Sequence, residues 1–280
     1  MIHPQRGFAL LTVLWVMVAA SVVALAGALA AREGVSAATN RADAERALWR
    51  AHDCIERARL AVDEALIEAQ RSGDILRGWR HLDQAALTTR IPTDQACEVR
   101  MHAAGSKLDI NRATAEQLTT LFQSLEVADA ATVATRVIEA RSEPFADVRQ
   151  VQRLSGVSYT TLAEVMDVEA GRIVLTLASP AVLAAVPGLT PEAAARIGLE
   201  RDMGRDVTDI MMVARFLSRA SADSIAAHYP EIVRMTTADP DAWIVTARGW
   251  AGSPPLSVFI DARLGLALSG AVVSRWRSWQ

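Results

Sequence analysis

Between Phe8 and Ala31 the chain carries no charged residue and no proline. A helix rising about 1.5 Å per residue needs about 20 residues to cross a hydrocarbon core, so this run of roughly 24 spans one with some tilt. That length decides where the remaining 250 or so residues work. Arg6, His3 and the amino terminus flank one side, and Arg32 and Glu33 close the other. The positive flank stays cytoplasmic, which sends the rest of the chain across the membrane as a single-pass anchored protein. The alternative is a secretory signal, for which Ala28-Leu29-Ala30 offers a small-x-small cleavage site. Signal cores are shorter, about 7–15 residues.

No proline occurs between Pro4 and Pro92, and Ser72-Gly73 is the first turn signal after the anchor. Ala44, Leu48, Ala51, Ile55, Ala58, Val62 and Leu66 recur at helical spacing, while Arg41, Asp43, Glu45, Arg46, Asp53, Glu56 and Arg57 charge much of the remaining surface. This predicts one helix continuing from the membrane into the aqueous part, its apolar stripe covered by a sheet. Cys54 lies beside the stripe. Cys97 opens a segment in which Cys97, Val99 and Met101 alternate with Glu98, Arg100 and His102, as in a half-buried strand. In an exported chain two such cysteines are candidates for one bridge joining helix to sheet, closing a loop of about 44 residues. The alternative is two separate buried thiols. With no CxxC spacing and five scattered histidines, structural zinc is not expected.

From about Lys107 to His228 the pattern turns to short helices. Asn111 is a candidate cap, and Thr114 with Gln117 forms a capping-box signal. Two helix–turn–helix units follow, with turns at Leu154-Ser155-Gly156-Val157 and Val186-Pro187-Gly188-Leu189 and second helices starting at Ser158 and Thr190. After His228 four strand patterns appear: EIVRMTTA, AWIVTARGW, LSVFIDARLG and ALSGAVVSRWRSWQ. Trp243, Trp250, Trp276 and Trp279 read as core or rim packing. Asp239-Pro240-Asp241 reads as a turn rather than part of a calcium site. No nucleophile elbow, phosphate-cradling loop or paired-histidine metal motif is present, so no enzyme is expected.

The boundary Arg6-Gly7-Phe8-Ala9-Leu10-Leu11 resembles the leader junction of type IV prepilins and of the pseudopilins of type II secretion systems. The resemblance implies cleavage after Gly7 by a prepilin peptidase and methylation of Phe8 as the new amino terminus, with Arg6 as the leader charge. Pilin-like proteins carry a glutamate at the fifth mature position, and here that position is Thr12. A carboxylate there pairs with a neighbour's amine in apolar surroundings, where an unpaired charge is very costly. A subunit without it fits a filament tip; the alternative is a degenerate motif. The missing glutamate, the anchor and an inserted helical domain together resemble the GspK-type minor pseudopilins.

The expected fold is therefore α+β: a pilin-like long N-terminal helix packed on an antiparallel sheet, with an inserted all-α domain resembling helix-hairpin-helix modules. The expected divisions are a leader over 1–7, a transmembrane part over 8–31, a first pilin-like part over 32–105, the insert over 106–228 and returning strands over 229–280. The resemblance implies as partners the GspI, GspJ and GspH types of minor pseudopilin, the major pseudopilin, the prepilin peptidase and the inner membrane. It also implies calcium, for which no ligand loop can be named. The location it implies is periplasmic, at a pseudopilus tip. Many helix-hairpin-helix domains bind DNA, which makes a competence-type DNA receptor the rival function. Against it, residues 106–230 hold about 12 basic and about 16 acidic side chains, where a phosphate-binding module needs a basic face. A generic anchored interaction protein is the third reading.

Overall fold

The computed structural model describes residues 5–82, 97–267 and 270–279, with side chains described within 11–277. One helix, α1 (Gln5–Arg71), passes without a break from the expected anchor into the aqueous part. Its 67 residues reach roughly 100 Å. Every residue from Leu11 to Arg41 is exposed. Burial begins at Asp43, and beyond it α1 buries Ala47, Ala51, Cys54, Ile55, Ala58, Ala61, Val62 and Leu66. The stripe is turned slightly from the expected one at its upper end, since Ala44 and Leu48 are only half-buried and Ala47 points inward.

A four-stranded sheet receives that stripe. Its strands are β1 (Cys97–Ala103), β6 (Trp243–Ala251), β7 (Leu256–Ala267) and β8 (Gly270–Trp279), in the order β1-β6-β7-β8, with every neighbouring pair antiparallel. The inward side chains Met101, Val245, Ala247, Ile260, Ala262 and Leu264 pack on Ile55, Val62 and Leu66 of α1. Each large side chain so buried contributes about 1.5–3 kcal/mol. The upper contact is a backbone one. A methyl group placed on Gly249 of β6 would lie 2.1 Å from the Ala47 carbonyl oxygen and 2.6 Å from the Ala51 nitrogen. Glycine on the strand and alanines on the helix let the two main chains touch, which is why Ala47 displaces Ala44 and Leu48 from the interface.

Cys54 of α1 and Cys97 of β1 form a disulfide, with Cα atoms 6.6 Å apart. Below it a short helix, α2 (Ile75–Arg80), is capped by Asp74, whose carboxylate accepts the Arg77 N–H. Trp79 of α2 is buried. Its Nε1 donates to the Pro240 carbonyl at 2.9 Å, and Trp243 Nε1 donates to the Trp79 carbonyl at 3.0 Å. Both indole donors are satisfied inside the core, as buried polar groups require.

Between β1 and β6 the chain leaves the sheet and returns. Ala103 pairs with Trp243, and the Ala104 N–H donates to the Ala242 carbonyl at 2.8 Å, so exit and re-entry are adjacent. Two parallel two-residue pairs make the stem, β2 (Leu108–Asp109) with β3 (Met166–Asp167) and β4 (Ile173–Val174) with β5 (Thr236–Thr237). The Gly105 carbonyl accepts the Val174 N–H, and at φ +87° it has the left-handed backbone for which glycine carries no steric cost. The helices are α3 (Ala115–Ser124), α4 (Ala130–Ala140), α5 (Arg149–Ser155), α6 (Tyr159–Val165), α7 (Pro180–Ala184), α8 (Pro191–Asp202), α9 (Ile210–Ala214) and α10 (Arg219–Met235). They enclose their own core, with Leu118, Leu121, Phe122, Leu162, Leu183, Ile197, Ile225 and Ile232 fully or almost fully buried. The expected capping box of Thr114 and Gln117 is formed, and Ser158 and Thr190 cap α6 and α8.

Three expectations are corrected. Asn111 does not cap a helix; its amide donates to the Phe145 and Val168 carbonyls and its side-chain oxygen accepts the Phe145 N–H, tying three loops together. EIVRMTTA is not a strand of the main sheet, because α10 runs through it to Met235 and leaves only Thr236–Thr237 extended. The boundary at His228 accordingly falls inside α10. The helix continues because Ile225 and Ile232, two turns apart, both enter the helical core, while Pro230 faces solvent, where the carbonyl it leaves without an N–H partner meets water.

Two stability outcomes follow. Gly249→Ala forces β6 away from α1 and is expected to cost about 2–3 kcal/mol in urea unfolding, far more than glycine-to-alanine at open Gly265. Cys54→Ala with Cys97→Ala, which opens a loop of sequence separation 43, is expected to lower stability by about 2–4 kcal/mol, and the wild-type chain by the same amount on full reduction.

Candidate functional site

Two features of this architecture have no use in holding the fold together. The first is the projecting part of α1. The apolar stretch beginning at Leu11 is long and apolar enough to cross a membrane, and none of it is covered by the rest of the chain. Leu14, Trp15, Val16, Val23 and Leu25 are each more than 60% exposed. The polar side chain of Ser21 is satisfied locally, its hydroxyl donating to the Met17 carbonyl at 2.8 Å, so it needs nothing from its surroundings. Ala19, Ala20, Ser21, Ala24 and Gly27 form a stretch of small residues that lets another helix approach closely. Such an arm must be covered by lipid, by other helices, or by each in turn.

The second feature is a cleft of about 700 Å³ between the outer face of the sheet and the insert. One wall is the sheet face opposite α1, carrying Arg100, His102, Thr246, Arg248 and Phe259; the other carries Arg149, Tyr159 and Glu164 from α5 and α6. The alternation expected for β1 sets this up, with Cys97 and Met101 buried under α1 and Glu98, Arg100 and His102 turned out. Ion pairs bind the insert to the sheet around it. His102 and Asp167 lie 3.0 Å apart, and Arg275 pairs with Glu169 at 2.7 Å. Arg277 pairs with Asp261 at 2.6 Å and donates to the Ala146 carbonyl at 3.1 Å. On the other side of the stem, Arg80 reaches both Asp206 and Asp239.

The charges in the cleft are perturbed for identifiable reasons. Burial alone would push the Asp167 carboxyl up, but the hydrogen bond and charge of His102, the charge of Lys107 and the Val168 N–H together hold it below its ordinary value. Burial draws the Lys107 ammonium down, and the charges of Asp167, Asp261 and Glu164 only partly offset that. Burial also raises the Tyr159 phenol.

Thr12 lies on the exposed arm of α1. The backbones of Arg6, Gly7 and Phe8 fall within α1, but their side chains, with the expected leader charge and cleavage junction, lie outside the described ones, as does that of Trp279. Cys54 and Cys97 are brought together as described above. Trp243 is core, whereas Trp276 is 41% exposed and packs with its ring tilted against that of His52 of α1, centroids 4.9 Å apart. Asp239 and Asp241 pair with Arg80 and Arg172. Among the described residues no group of three or more His, Cys, Asp or Glu side chains is arranged to hold a metal, so the calcium implied by resemblance finds no ligand set there. The cleft was not anticipated, because its walls come from segments spread along the chain from Glu98 to Arg277 and no local pattern marks them.

No family model matches the chain, and no curated protein is similar to it in sequence. Its structure is similar to a chain in the crystal structure of the GspK-GspI-GspJ complex from the type 2 secretion system of enterotoxigenic Escherichia coli. The two superpose with a TM-score of 0.58 at 13% sequence identity, over 87% of this chain and 99% of that one. The shared fold is pilin-like, a long N-terminal apolar helix laid on an antiparallel sheet.

The lowered Asp167 gives a pH signature. A carboxyl whose folded-state pKa lies below its unfolded value adds stability above that unfolded value, near 3.9, and loses it as pH falls through the folded one. Urea midpoints taken from pH 6 to pH 3 are expected to fall more steeply for the wild type than for Asp167→Asn.

Proposed function

We propose that this chain is a GspK-type minor pseudopilin of a type II secretion system, placed at the tip of the periplasmic pseudopilus. The observation that carries this reading is the bare arm of α1, an apolar helix left uncovered on a pilin-like body. The arm waits in the inner membrane with its amino terminus in the cytoplasm. A prepilin peptidase cuts after Gly7, Phe8 is methylated, and the arm then packs among the arms of GspI-, GspJ- and GspH-type minor pseudopilins above the major pseudopilin.

Thr12 sets the position. A subunit joining beneath another must neutralise the amine of the one ahead with an acid at its own fifth mature residue, since an unpaired charge inside a helix bundle costs several kcal/mol. This chain has an uncharged hydroxyl there and so can lead but cannot follow. The bulky insert supports the same place, because it widens the subunit where a column of stacked copies would have to be narrow. The protein works by shape and contact, initiating and capping a filament whose extension exports folded proteins across the outer membrane.

The test is expression beside a prepilin peptidase, followed by sequencing of the mature amino terminus. N-methylated Phe8 is expected, and Gly7→Leu is expected to leave the leader attached; a terminus at Ala31 would show an ordinary signal peptide and end the reading. Mixed with GspI- and GspJ-type subunits of the same system, the wild-type chain is expected to elute as a ternary complex.

A further inference from the structure

Lys107 is the only lysine among the 280 residues, so the chain offers a single side-chain amine. Its two cysteines are joined to each other, and arginine stays protonated and is no nucleophile. The amine lines the cleft between sheet and insert. The backbone on either side of it is held in place. Ser106 reaches the Ala103 carbonyl through its N–H at 3.1 Å and its hydroxyl at 2.8 Å, and Leu108 pairs with Met166 in the stem.

The surroundings of Lys107 differ from those of an ordinary surface lysine. Its side chain is half-buried, and among the described residues it makes neither an ion pair nor a hydrogen bond. Withdrawal of water disfavours the ammonium, and the charges of Asp167, Asp261 and Glu164 restore it only in part, so the amine is neutral more often than in a free lysine. A desolvated, neutral lysine is the form that attacks a carbonyl carbon. The cleft, of about 700 Å³, leaves room for a small molecule beside it. Its lining holds as many carboxylates as lysine and arginine side chains, so it favours neither an anion nor a cation.

We propose that Lys107 is a covalent capture site for small uncharged aldehydes that enter this cleft. The amine nitrogen bonds to the carbonyl carbon, both its hydrogens leave with the carbonyl oxygen as water, and an imine remains. No oxidant, reductant or further reactant is needed. The imine carries no charge, which suits a partly dry wall better than the ammonium does. Water returning to the imine carbon releases the aldehyde. The inference does not depend on the secretion reading, since it uses only the chemistry and placement of one side chain.

The test is incubation of the full-length protein in detergent with propionaldehyde and sodium cyanoborohydride, which fixes an imine as a stable amine, followed by peptide mass mapping. Labelling of Lys107 at pH 7 is expected to run at least about fivefold faster in the folded protein than in the same chain unfolded in guanidinium chloride. Its rate is also expected to level off at a lower pH in the folded protein. The amino terminus, the other amine of the chain, is the internal reference. Glyoxylate, an anionic aldehyde, is expected to show a smaller advantage of folded over unfolded chain, and Lys107→Arg is expected to carry label at the amino terminus alone. Equal or slower labelling of Lys107 in the folded protein, the same pH profile in both states, or as large an advantage for glyoxylate would each overturn the proposal.

Discussion

The contact between the backbone of β6 and the backbone of α1 organises this molecule. With Gly249 set against Ala47 and Ala51, the helix lies close enough for Ile55, Val62 and Leu66 to reach the inward side chains of β6 and β7. Helix, sheet and disulfide are then three expressions of one packing plane. Above that plane the same helix has nothing to pack on, and the exposed run from Leu11 onward follows directly. One uninterrupted hydrogen-bonded rod thus has two characters, an apolar stripe that meets the sheet in its lower half and, in its upper half, a run long and apolar enough to cross a membrane.

The insert is attached by a different logic. Its helices fold around their own apolar core, and its link to the sheet is mostly polar: the His102–Asp167 and Arg275–Glu169 pairs, the Arg277 bond to the Ala146 carbonyl and the Arg80 bridge to Asp206 and Asp239. Apolar burial holds each unit together, while charge fixes how one sits on the other. The cleft is the space this arrangement leaves where the insert spans the outer face of the sheet without filling it.

Much of this was legible in the residues. The length of the uncharged run, the stripe on α1, the alternation in β1, the Thr114–Gln117 capping box and the glycine turns at 156 and 188 are all local patterns, and local patterns survive in sequence. What escaped was decided elsewhere in the chain. Ile232, Val233 and Met235 look like a strand until Ile225, seven residues earlier, claims the same helix face, and Pro230 is accommodated in that helix on its exposed side. Asn111 had the right chemistry for a cap, but carbonyls from Phe145 and Val168 were better partners, and neither is near it in sequence. The cleft could not be read at all, since its two walls face each other only once the sheet register is set and the insert spans it.

The adjacency of Ala103 and Trp243 carries a last implication. Because the chain departs and comes back at paired positions in neighbouring strands, a tight hairpin turn could stand in for the entire helical module without disturbing a single rung of the ladder. The module is in that sense a cassette. It could be enlarged, trimmed or resurfaced while α1, the sulfur bridge and the sheet stayed as they are.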